Sequence, residues 1–112
     1  MYSPGFAPAM AFRVELTPRA QQDLDRIYDW VIREAPIAGG PWFGRFEKSI
    51  LALSNFPERC AVEPALSSQN RTVRKLVFGT TRYKYRVYFA VIGDVVRVVH
   101  IRHGSRKQPG RV

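Results

Sequence analysis

Residues 83–107 constrain this chain most, because their order admits little besides a β-hairpin with a short basic tail. Two runs rich in aromatic and β-branched residues flank Gly93-Asp94, and glycine at the first of two loop positions suits a tight type II′ turn. With that loop, Ile92 pairs with Val95, Ala90 with Arg97, Tyr88 with Val99 and Arg86 with Ile101. One face then carries Tyr83, Tyr85, Val87, Phe89 and Val91, with Val96, Val98, His100 and Arg102 across from them. The other carries Lys84, Arg86, Tyr88, Ala90 and Ile92, with Val95, Arg97, Val99, Ile101 and His103. The first face is the more apolar, so helices are expected to pack on it. A bulge would shift this register by one residue and flip the assignment.

The preceding chain supplies those helices. Residues 12–16 alternate apolar and polar as a short strand, and Thr17-Pro18 offers an N-cap followed by a proline at the first helical position. Ala20, Leu24, Ile27, Tyr28, Val31 and Ala35 then recur at three- and four-residue spacing until Pro36, with Asp23, Asp25, Arg26 and Asp29 read as lying mostly away from that face. Gly39-Gly40-Pro41 restarts a second helix, whose face is Trp42 or Phe43, Phe46, Ile50 and Leu53. At that spacing Trp42 and Phe43 read as core, not as a ligand-stacking pair. The acids of the first helix have no histidine near them and read as a solvated face, not a metal site. Residues 58–72 lack periodicity and read as a loop, with Cys60 a bland small residue; residues 72–78 form the next strand. The expected architecture is α+β, in the order β-α-α-β-β-β, with a helical hairpin on one face of a small, mainly antiparallel sheet. Residues 12–107 form one domain, residues 1–11 a flexible N-terminal segment and residues 108–112 a short tail. Patterning begins just past Met10, so Met1 and Met10 are both candidate starts.

Charge narrows the function. The net charge is +9 over 112 residues, and residues 1–56 balance six basic against six acidic side chains. Residues 57–112 carry twelve basic residues against Glu58, Glu63 and Asp94, so the whole excess lies there. Such asymmetry points to a polyanionic or acidic partner. Arg74, Arg82, Lys84, Arg86, Arg102 and Lys107 are the candidate nucleic-acid- or anion-binding residues. Lys84, Arg86 and His103 gather at one end of the polar face, with Arg106 just beyond, and guanidinium groups match phosphate oxygens bidentately. His100, on the apolar face, reads as a satisfied core histidine. One cysteine excludes an intramolecular disulfide and fits a reducing, cytoplasmic setting. No apolar run approaches the roughly 18 residues of a membrane span, and the first ten residues do not read as a signal peptide. No cofactor and no metal site are expected.

The order of short motifs resembles the RelE/ParE toxin superfamily, the toxins of type II toxin–antitoxin operons. The segments are LTPRAQQDLDRIYDW (residues 16–30), LSNFP (53–57), VRKLV (73–77), YRVYF (85–89), the Gly93-Asp94 turn and HIRHGSR (100–106). They look closer to the ParE-like branch, often called plasmid stabilisation proteins, than to the RelE ribonucleases. The resemblance implies a cognate antitoxin, in a toxin–antitoxin hetero-oligomer or beside a homo-oligomer. It also implies one of two targets: DNA gyrase, which ParE-type members poison without a catalytic group, or ribosome-bound mRNA, which RelE-type members cut as metal-independent endoribonucleases. For the ribonuclease alternative it nominates Arg86, Arg106, His103 and Lys75 as catalytic residues. The chain departs from RelE-type enzymes in having no tyrosine after Tyr88 and a tail too short for an extra helix. Gyrase inhibition is therefore the leading expectation, mRNA cleavage the alternative, and a non-toxic nucleic-acid- or partner-binding family member a third.

Overall fold

Two helices and four of the five strands follow from these local signals, and a computed structural model describes the chain over residues 11–80 and 84–103. Strand β1 (Arg13–Leu16) leads into helix α1 (Pro18–Glu34), which turns through residues 35–38 into α2 (Gly39–Leu51). Thr17 caps α1 by accepting a hydrogen bond from the Ala20 N–H at 3.1 Å, with Pro18 at the first helical position where its missing N–H costs nothing. The hairpin between the helices closes on Gly39. A Cβ there would stand 2.8 Å from the Val31 carbonyl oxygen, so only glycine lets the two helices approach this closely.

Short 3-10 turns then lead through a two-residue strand, β2 (Ala61–Val62), to β3 (Arg74–Phe78), β4 (Tyr85–Ile92) and β5 (Val95–His103). The β2 edge lies in the region expected to be pure loop, and two residues flanked by such turns are too short to show periodicity. The sheet order is β1-β5-β4-β3-β2, with β1 parallel to β5 and every other pair antiparallel. Gly93 has φ 62° while Asp94 stays out of positive φ, the sign pattern of the expected type II′ turn.

Both helices pack on one sheet face. Leu24, Ile27 and Val31 of α1 and Phe43, Phe46 and Ile50 of α2 meet Tyr85, Val87, Phe89, Val96, Val98 and Ile101. Trp42 lies 5.5 Å from Phe78 and 5.7 Å from Tyr85 between ring centres, so the aromatic pair at the start of α2 is core, as its spacing indicated.

The hairpin register holds only near the turn. Ile92 pairs with Val95 and Phe89 with Val98, but Tyr88 then pairs with His100, leaving Val99 as the extra residue of a β-bulge. Beyond it every side chain of β5 changes face. Ile101 enters the core, and His103 sits opposite Tyr85 with ring centres 4.9 Å apart. Placing His103 beside Arg86 was therefore incorrect; His100 and Arg102 take the face that Arg86 occupies. A regular ladder would have aimed His100 and Arg102 into the aromatic core, and the bulge replaces them there with Ile101.

Candidate functional site

The sheet face turned away from the helices brings the basic residues together. Two rows cross it: Lys75, Tyr88 and His100 in one, Val77, Arg86 and Arg102 in the next. Each row is set by direct cross-strand pairing, and the rows are two residues apart on each strand. Arg86 and Arg102 thus stand directly opposite each other, an arrangement that is repulsive in isolation. The Nε of Arg86 is buried and has no hydrogen-bond partner, and neither guanidinium forms an ion pair among the described residues.

Lys75 is different. Its ammonium lies 3.3 Å from the Glu63 carboxylate, which neutralises it. The Ala65 N–H, donating to Glu63, holds that carboxyl below its ordinary range; desolvation opposes this, while Lys75 and Arg86 add to it.

His100 owes its orientation to Asp23. Strand β1 stops at Leu16, so the edge of β5 beyond Val98 has no strand beside it, and α1 brings Asp23 there instead. One carboxylate oxygen of Asp23 accepts from the Ile101 N–H at 3.0 Å and lies 2.8 Å from His100 Nδ1. Its other oxygen lies 3.7 Å from Arg19 and 3.9 Å from Arg26. Asp23 is 7% exposed, so reading it as part of a solvated face was incorrect. It falls three residues after Ala20 and four before Ile27, within the apolar stripe, which was the available signal. The His100 ring stacks on Tyr88 at 6.0 Å with planes 22° apart.

The other expected residues disperse. Arg74 faces the helix side, where it donates to the Cys60 carbonyl at 2.7 Å and the Glu58 carbonyl at 3.2 Å. Lys84 lies immediately before β4, while Arg82, Arg106 and Lys107 lie outside the described residues, as do Tyr83 and residues 1–10 and 108–112. The structure thus assembles Arg86, Arg102 and His100, with Lys75 alongside but paired. Among the described residues no group of three or more His, Cys, Asp or Glu could hold a metal, and no helix is long and apolar enough to cross a membrane.

A helical hairpin on one face of a mixed five-stranded sheet, with arginines on the other, defines a small α+β domain with a cationic sheet surface. A family model described as the ParE toxin of the type II toxin–antitoxin system parDE matches residues 14–108, and the chain belongs to that family, within the RelE/ParE superfamily. Among solved structures it is similar in fold to the chromosomal ParDE TA system from P. aeruginosa. The TM-score is 0.65 at 21% identity, covering 84% of this chain and 97% of that one. No curated protein matches the sequence.

Proposed function

We propose that this ParE-family toxin inhibits DNA gyrase by binding it, and that a cognate antitoxin neutralises it by laying an acidic segment over the Arg86–Arg102 face. The observation that carries the first part is the placement of His103. With it opposite Tyr85, the catalytic set that the ribonuclease alternative nominated is split between two sheet faces, whereas inhibition by binding needs no proton donor. The arginine pair supports the second part, since two guanidiniums face each other across the sheet and neither forms an ion pair among the described residues.

Purified protein added to a gyrase supercoiling assay is expected to abolish supercoiling, and added antitoxin to restore it. In a translating extract, primer extension is expected to show intact mRNA. Cleaved mRNA with unimpaired supercoiling would reverse the two targets. Unaffected growth on expression without an antitoxin would remove the toxin reading altogether.

A second reading has one observation in its favour. His100, oriented by Asp23, stands two residues from Arg102 on the same face, a combination that metal-independent phosphodiester cleavage could use. The same primer-extension experiment decides it.

A further inference from the structure

We propose that Arg86, Arg102 and Nε2 of His100 form a binding site for a single phosphate group. The site is argued from the sheet face alone and does not depend on which target above is correct.

Geometry comes first. Arg86 and Arg102 are direct partners in the ladder, and Tyr88 and His100 are the next pair along. Same-face neighbours of this kind stand about 5 Å apart across strands and about 7 Å apart along one. Three cationic or potentially cationic groups therefore border one small area whose floor is the Tyr88 ring, itself 3% exposed. The buried Nε of Arg86 is a donor with no acceptor among the described residues, and an anion in this area would supply one.

His100 is arranged for the same ligand. Asp23 takes Nδ1 at the β5 edge, and the stacked Tyr88 keeps the ring over β4. The two imidazole nitrogens point to nearly opposite sides of the ring, so Nε2 is directed away from the edge and over the face. It has no hydrogen-bond partner among the described residues. Donation from Nε2 uses the imidazolium form, whose two N–H groups then face Asp23 and the ligand.

Three donors approaching from three sides fit a tetrahedral anion with several peripheral oxygens. A carboxylate can also accept from such donors, but a phosphate offers more peripheral oxygens to share among them. Glu63 is already engaged by Lys75 at 3.3 Å, although the charge of Arg86 also acts on its carboxyl.

The test uses the full-length protein labelled with 15N, titrated at constant ionic strength with inorganic phosphate and followed at the His100 side-chain nitrogens. Saturable shifts are expected. Arg86→Gln, Arg102→Gln and His100→Gln should each weaken binding roughly tenfold, the loss typical of one charge-assisted hydrogen bond. Lys48→Gln, on the exposed side of α2, should leave it unchanged. Thermal unfolding of each variant confirms that it is folded. A short DNA duplex and a short RNA are then added as competitors. Displacement of phosphate by either assigns the site to a nucleic-acid backbone, and failure of both to displace it assigns the site to free phosphate. Unsaturable shifts, or equal losses in Lys48→Gln and the site variants, would overturn the proposal and leave only general surface charge. Gyrase is absent throughout, so the outcome is separate from that of the supercoiling assay.

Discussion

Asp23 does work that a sixth stretch of strand would otherwise do. Its carboxylate satisfies the Ile101 N–H at the point where β1 has ended, and the same oxygen holds His100. Asp23→Ala removes both acceptor contacts and leaves a buried backbone donor unpaired, a loss of about 3 kcal/mol. Asp23→Asn retains an acceptor for Ile101 and should cost about 1 kcal/mol. Urea unfolding monitored by circular dichroism checks both, and an unchanged denaturant slope shows that only stability has moved. Cys60 illustrates the opposite case, a titratable residue with no functional setting. It is 8% exposed, and burial pushes its thiol up despite the nearby charges of Arg59 and Arg74. The folded thiol therefore keeps its proton to higher pH than the unfolded one. Stability is fully present below the unfolded value and is lost as pH rises from there through the raised folded value. At pH 8 a thiol-specific disulfide reagent should react with native protein at least roughly tenfold more slowly than with urea-unfolded protein. Equal rates would mean that the thiol is accessible.

At the scale of elements, helices and turns were legible because their signals are local. Thr17-Pro18 marks a cap, Gly93-Asp94 a turn, and the three- and four-residue spacing of Leu24, Ile27 and Val31 a buried stripe. The bulge was not legible from local preference, since Val98 and Val99 are both good strand residues. Its signal was a conflict: strict alternation from Val96 and Val98 leads to His100 and Arg102, which an aromatic core cannot accept unpaired, while Ile101 would be wasted on the polar face. Resolving that conflict moves the candidate site from His103 to His100. The parallel pairing of β1 with β5 was also hidden, because residues 13–16 and 95–98 lie far apart in the sequence, with both helices and strands β2, β3 and β4 between them. Glycines within one helix show how context outweighs propensity. Gly39→Ala would place a Cβ 2.8 Å from the Val31 oxygen and 3.0 Å from Val31 Cγ1, so about 2 kcal/mol should be lost to strain between the helices. Gly44, in the same helix, has open space around its Cα, and Gly44→Ala should gain about 0.8 kcal/mol from helix propensity alone. Opposite shifts in melting temperature for these two variants are the expected result.

For the molecule as a whole, the net charge of +9 sets a balance between stability and binding. Like charges repel in the compact state, and the Arg86–Arg102 pair concentrates that repulsion at one point of the sheet. Screening should relieve it, so the melting temperature should rise as sodium chloride is added, most steeply below about 0.15 M, where the Debye length still exceeds roughly 8 Å. Phosphate should do more than chloride at the same ionic strength and pH. A site with a dissociation constant of about 10 mM, filled at about 100 mM phosphate, contributes about 1.4 kcal/mol, equivalent to a rise of roughly 5 °C in a domain of this size. Phosphate also stabilises proteins in general by exclusion from their surface, so the comparison that decides is with the double variant Arg86→Gln, Arg102→Gln. Exclusion acts equally on both proteins. Removal of the facing cations should raise the melting temperature in low salt, because the repulsion is gone, and should also erase the increment of phosphate over chloride. Those two changes have opposite signs for stability, and a merely damaged fold would lower both. If the double variant melts lower in low salt and keeps its phosphate increment, the arginines stabilise the sheet and take no anion.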